Sequence, residues 1–125
     1  MNTKQVIVIR KDLKMRRGKE IAQGAHASIS FLVKRVTTQG RIALSFSEAE
    51  CRWMRGLFKK VCVQVSSCEE LFEIHRLATE AGLESHLITD NGLTEFKNIL
   101  TPTCLAIGPD IEEKIDKITG HLELY

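Results

Sequence analysis

The sequence predicts an α/β fold: a single domain built as a three-layer sandwich, a mixed four-stranded sheet with helices on both faces. Three observations predict it. Short β-branched or apolar runs, each the length of a strand, occur near 6–9, 60–65, 84–89 and 103–107. Segments with three- and four-residue apolar spacing separate most of these runs, as helices would. A chain of 125 residues, 43% apolar and 27% charged, is long enough to bury one real core and too short for two.

Val6-Ile-Val-Ile9 is a continuous apolar run between charged residues, the mark of a strand covered on both faces. A loop over 10–17 leads into a long helix, approximately 18–38. Its residues Ile21, Ala22, Ala25, Ile29, Leu32, Val33 and Val36 recur at helical steps and are expected to form the core stripe. Thr37-Thr-Gln-Gly40 ends this helix. Ser47-Glu-Ala-Glu50 fits a capping box and opens a short helix that carries Trp53 to the core and stops at Gly56. After the strand 60–65, Ser67-Cys-Glu-Glu70 repeats the capping pattern, and the helix it opens ends before Gly82. A strand at about 84–89, another at about 103–107 between Pro102 and Gly108-Pro109, and a last helix at roughly 111–119 complete the order. The βαβ unit 60–89 calls for parallel strands, and the last two strands, joined without a helix, for an antiparallel pair. The loop 90–102 is the longest irregular stretch, a place where function concentrates.

Net charge is only +2, but residues 1–19 hold seven Lys or Arg against one acid, whereas 110–125 hold five acids and two lysines. One face is therefore expected to be basic. No run approaches the roughly 20 apolar residues that span a bilayer, and the first residues lack a secretory apolar core. A cytoplasmic location without membrane contact is the expectation. Cys51, Cys62, Cys68 and Cys104 form no Cys-x-x-Cys pair, and the four histidines offer no ligand spacing, so neither a metal nor a disulfide framework is expected.

The most informative segment is Lys14-Met-Arg-Arg-Gly-Lys-Glu-Ile-Ala-Gln-Gly-Ala-His26. A helix N-terminus already carries about half a positive charge and normally attracts acidic side chains. Here Lys14, Arg16, Arg17 and Lys19 crowd it instead, which makes sense if the helix end holds an anion. Lys19, Gln23 and His26 fall within about 60° of one another around the helix, a polar stripe beginning at that end. The same spacing also fits a solvated helix edge. Asp90 stands where the third strand runs out, where open α/β sheets gather ligands, and Gly92 allows a turn that brings Thr94 back beside it. Asp90-Asn-Gly92 equally reads as an ordinary Asx-turn. Thr101 and Thr103 place two hydroxyls at the start of the last strand.

Taken together, Lys14-Met-x-x-Gly-Lys19, Ala22-Gln-x-x-His-Ala27, Asp90-x-Gly-x-Thr94, Ile107-Gly-Pro109 and Asp116-x-x-Thr-Gly-x-Leu-x-Leu124 resemble the peptidyl-tRNA hydrolases of the second, archaeal and eukaryotic type. The resemblance spans nearly the whole chain. It implies a small, commonly dimeric α/β enzyme that cleaves the ester between a peptide and the terminal adenosine of tRNA, with no metal and no cofactor. Carried onto this sequence, it marks Lys19, His26, Asp90, Thr94 and Thr103 as catalytic positions, with Gln23 in the motif. Lys14, Arg16, Arg17 and Gln23 are the candidates for holding the tRNA 3′ end, and Asp90 and His26 both stand as candidate bases. Asn91, Leu93 and Glu95-Phe96 depart from the commonest pattern, and 40–58 matches nothing distinctive, so the chain reads as a divergent member. Two other readings fit the same residues: a non-catalytic RNA-binding module on this fold, and an enzyme for another small anion.

Overall fold

The run Val6-Ile-Val-Ile9 lies at the centre of β1 (Thr3–Arg10), and each of its residues is at most 6% exposed, as a strand covered on both faces requires. The computed structural model describes residues 1–37, 39–42, 45–93 and 95–125. After β1 come a single 3₁₀ turn (Lys11–Leu13), α1 (Arg17–Val33), α2 (Glu48–Arg55), β2 (Lys60–Val65), α3 (Cys68–Glu80), β3 (Ser85–Asp90), β4 (Thr101–Ile111) and α4 (Glu112–Thr119). The sheet runs β2-β1-β4-β3, with β1 parallel to β2 and β4 antiparallel to both its neighbours. β2 and β3 therefore share a direction, as expected, but stand two strands apart.

Alternation along the strands divides the core into two layers. Val6, Val8, Val63, Val65, Leu105 and Ile107 meet Leu71, Ile74 and Ala78 of α3 and Ile115 and Ile118 of α4. On the other face Ile7, Ile9, Cys104 and Ala106 meet Ala27 of α1 and Met15. Trp53 of α2 joins this second side, packing edge-on against Phe31 of α1. Both capping residues act as the sequence indicated. Ser47 and Glu50 form a full box, and the Ser67 hydroxyl accepts from the Glu70 amide.

Three expectations need correction. α1 ends at Val33 rather than near 38. Its buried residues are Gln23, Ala27 and Phe31, whereas Ile21, Ile29 and Val33 of the expected core stripe are 72%, 53% and 57% exposed. The reason is close approach: α1 packs on the sheet through small residues, and a side chain at Gly24 would already touch Ile7. The apolar stripe then rims a groove of about 730 Å³ floored by Ile7, Ile9 and Cys62 and walled by Trp53 and Phe58.

β4 is also much longer than 103–107, running through both prolines. Each proline sits at a register shift, Pro102 opposite the one between Ile88 and Thr89, Pro109 opposite the one between Lys4 and Val6. Bulges tolerate the missing N–H, so residues that read as strand ends are interior irregularities.

The outer side of β2 is covered by residues 123–125: the Gln64 amide donates to the Glu123 carbonyl at 3.0 Å and the Tyr125 amide to that of Cys62 at 3.1 Å. No described residue pairs with the outer side of β3.

His86 of β3 is buried under the end of α1, and burial, with Lys34, Arg35 and His75 nearby, pushes its pKa down to about 4. A histidine held neutral in the fold but protonating near 6.5 when unfolded stabilises fully above that value and progressively less as the pH falls toward 4. Urea unfolding at pH 7.5, 6 and 4.5 should show this loss, and His86→Asn should flatten it.

Candidate functional site

Arg16 is the N-cap residue of α1, and its side chain caps nothing. The opening amides of the helix thus receive no cap from Arg16, and exposed Lys14, Arg16 and Arg17 lie beside them. Lys14 adopts a left-handed conformation, φ 51°, that closes the preceding 3₁₀ turn. Arg16 Nε donates to Glu95 Oε1 at 2.7 Å, tying the chain at Glu95 to the helix start and holding the Glu95 carboxyl below its usual range.

One turn into α1, Lys19 Nζ donates to Asp90 Oδ1 at 2.8 Å, and both side chains are nearly closed off, 13% and 10% exposed. Gln23, a further turn along, donates from Nε2 to the same oxygen at 3.1 Å. The other oxygen, Oδ2, accepts from the Gly92 amide at 2.8 Å. These donors hold the Asp90 carboxyl below the usual carboxylate range, the Lys19 hydrogen bond contributing most. Asp90 is thus an ionised group in a fixed orientation. Behind it, the Thr103 hydroxyl donates to Gln23 Oε1 at 2.5 Å, which sets the amide so that its nitrogen faces the carboxylate.

Thr103 reaches α1 because of the bulge in β4. Ile88 pairs with Cys104 and Thr89 with Pro102, leaving Thr103 as the extra residue. Strict alternation would turn it toward α3, on the side of Leu105. The bulge instead aims it, along with Cys104, at α1. The Cys104 thiol donates to the Gln23 main-chain carbonyl at 3.3 Å, and burial pushes its pKa up to about 11, so it is a packing group and not a nucleophile.

The structure therefore brings together Lys19, Gln23, Asp90 and Thr103. Thr94 lies outside the described residues. His26 is exposed on the same flank of α1, and no hydrogen bond or ion pair joins its imidazole to the cluster. Gln23, expected at the tRNA, is 2% exposed and engaged on both ends of its amide, so it serves the carboxylate. Two neighbours were not singled out from the sequence, the Gly92 amide and Phe96, whose ring lies 5.7 Å from the Lys19 ammonium. The Asx-turn signal pointed to the first, and nothing in the pattern pointed to the second. An open cleft of about 560 Å³ lies against Lys19, between Arg16 and Ala22. Among the described residues no three His, Cys, Asp or Glu converge as metal ligands would, and no helix is long and apolar enough to cross a membrane.

A sheltered ammonium–carboxylate pair at a basic helix end, on the carboxyl edge of an α/β sheet, is an arrangement suited to an anionic ligand. Comparison with known proteins narrows this. The family model described as peptidyl-tRNA hydrolase PTH2 matches residues 3–125. A peptidyl-tRNA hydrolase of Methanothermobacter thermautotrophicus is 46% identical over 121 residues, covering 97% of this chain and 98% of that one. Those of Methanopyrus kandleri and Thermoplasma acidophilum are 45% and 37% identical, over 97% and 99% of this chain and of their own. The chain belongs to the peptidyl-tRNA hydrolase PTH2 family.

Gly92 has φ +80°, and a Cβ there would collide with the Ile99 carbonyl oxygen. Gly92→Ala is expected to destabilise the fold by about 2 kcal/mol, from left-handed strain plus the displaced strand entry. Urea unfolding measures it.

Proposed function

We propose that this chain hydrolyses the ester joining a peptide to the 3′-terminal adenosine of tRNA, releasing the peptide and a free tRNA. The observation that carries the reading is the Lys19–Asp90 pair, 2.8 Å apart and sheltered at the head of the basic helix, in a chain of this family. Lys14, Arg16, Arg17 and the opening amides of α1 bind the phosphates of the tRNA 3′ end, a salt-sensitive and sequence-independent contribution. With the RNA on that side, the ester carbonyl comes to rest beside Lys19.

Water then attacks the carbonyl carbon. The oxygen of the tetrahedral intermediate takes up negative charge beside the Lys19 ammonium, which is already in position and needs no reorientation. Collapse breaks the bond to the ribose oxygen, which leaves with a proton as the hydroxyl of the tRNA, while the acyl group leaves as the peptide acid. Asp90 orients the attacking water through Oδ2, whose one donor among the described residues is Gly92. A carboxyl held this low is a poor proton acceptor, so its part is positioning and charge rather than strong base catalysis. Gln23 and Thr103 keep it aimed. Lys19 supplies the cationic charge that a Lewis acid would otherwise provide, so the reaction is proposed to be metal-independent. A cytoplasmic location is part of the same proposal.

The reading also includes a homodimer. Ile21 and Ile29 project beside the apolar groove they rim, so ridge and groove occupy one surface, which a two-fold axis can make self-complementary.

Lys19→Ala and Asp90→Ala should each lower peptide release about 10²- to 10³-fold with the fold intact by circular dichroism. Excess chelator should change nothing. Because the Asp90 pKa is depressed, its ionised form persists as the pH falls through the usual carboxylate range, so kcat/KM should show no Asp90 transition above about pH 4. Near-parental turnover in both variants, or a chelator-sensitive rate, would contradict the reading. For the dimer, sedimentation should give twice the chain mass of 14.1 kDa, and Ile29→Glu should shift the protein toward monomer.

A further inference from the structure

The hydrolase reading leaves open where the peptide goes. It must leave Lys19 and Asp90 on the side away from the tRNA, and its sequence is arbitrary, so side-chain pockets cannot be what holds it. Asp90 is the last residue of β3, and β3 is an outer strand whose free side no described residue covers, unlike that of β2. The phase of its hydrogen bonds follows from one contact: the Gly108 amide donates to the Glu84 carbonyl at 3.0 Å, in step with the pairing of Ser85 with Ile107. Antiparallel alternation then turns the main-chain groups of His86 and Ile88 toward β4 and those of Ser85 and Leu87 outward.

The outward side is not a flat rim. α1 runs antiparallel to β3, and the flank that brings Lys19 and Gln23 to Asp90 continues through His26 to Ser30, Val33 and Lys34. The last three meet Ser85, Leu87 and His75 of α3 around a depression of about 310 Å³. The unpaired edge is thus the floor of a trough between α1 and α3, and its strand ends at the carboxylate of the site.

We propose, building on the hydrolase reading, that the peptide of the substrate adds to the outer side of β3 as a fifth strand. Its ester carbonyl lies at Lys19–Asp90 and its preceding residues run back toward Ser85, parallel to β3. Leu87 is three residues from Asp90, about 10 Å along a strand, so its N–H and C=O meet the residues just before the ester. Those of Ser85 lie two residues further. Main-chain pairing of this kind gives affinity without sequence preference. It also separates peptidyl-tRNA from an aminoacyl-tRNA, which has no preceding amide to offer.

The test uses the unaltered protein and tRNAs carrying N-acetylated chains of one, two, four and six residues. KM should fall by about tenfold between one and four residues, the worth of two net main-chain hydrogen bonds, and then level off whatever the side chains. N-methylation of one amide within the first four residues should cancel most of that gain. Leu87→Pro, which removes an outward N–H and leaves the ladder to β4 intact, should lose the length dependence while keeping kcat on the one-residue substrate. Should that variant not fold, the N-methyl series decides alone. A KM independent of chain length, or unaffected by N-methylation at every position, would overturn the edge-pairing proposal with hydrolysis itself standing. No hydrolysis of any substrate would overturn the enzyme reading, and this proposal with it.

Discussion

Everything at this site depends on keeping one carboxylate, that of Asp90, charged and motionless while nearly shut off from water. An unpaired carboxylate in that position would take up a proton or turn outward. Three donors among the described residues work against both: the Lys19 ammonium, the Gln23 amide and the Gly92 main-chain N–H. Together they depend on several features of the fold. Lys19 and Gln23 require α1 to lie tight on the sheet, Gln23 requires Thr103 to fix its amide, and Gly92 requires a turn only glycine makes comfortably. The ion pair is the point at which helix, bulge and loop must agree.

That requirement accounts for the way α1 sits. To bring its polar flank to the end of β3, the helix buries Gln23, Ala27 and Phe31 and leaves Ile21 and Ile29 to rim a groove on its opposite flank. A helix rotated to bury Ile21 and Ile29 instead would carry Lys19 and Gln23 away from Asp90. The local cost is exposed isoleucine, which an interface between two copies would recover. One helix thus separates a polar trough along β3 from an apolar groove along β2, and its basic N-terminus closes the end of the trough where the strand stops.

The strands, the helix order and both capping residues were legible in the sequence because they rest on local chemistry: β-branched runs, Ser–x–x–Glu caps, and glycine after a helix. Lys19 and Asp90 were legible as well, one as a cation at the wrong end of a helix, the other as an acid at a strand's end before a turn. The rotation of α1 was not, because counting isoleucines finds the apolar stripe but cannot see that small residues at 24 and 27 allow a closer approach elsewhere. Nor was the reach of β4. Pro102 and Pro109 read as terminators, and only the pairing with β1 and β3 shows that bulges absorb them. The same blindness hid the use of Thr103, whose direction is set by a register shift between strands that no single segment encodes. The role of Gln23 followed from both, since its burial comes from the rotation and its orientation from the bulge.

The most direct measurement of the central claim is the titration of the Asp90 side-chain carboxyl carbon by NMR, in the parent protein and in Lys19→Gln. Electrostatic and hydrogen-bond support from Lys19 predicts a parental midpoint below the ordinary carboxylate value of about 3.9, and a clear upward move in the variant. An ordinary midpoint that ignores the loss of the ammonium would mean that the two groups do not share a site in solution, and the account would fail at its foundation.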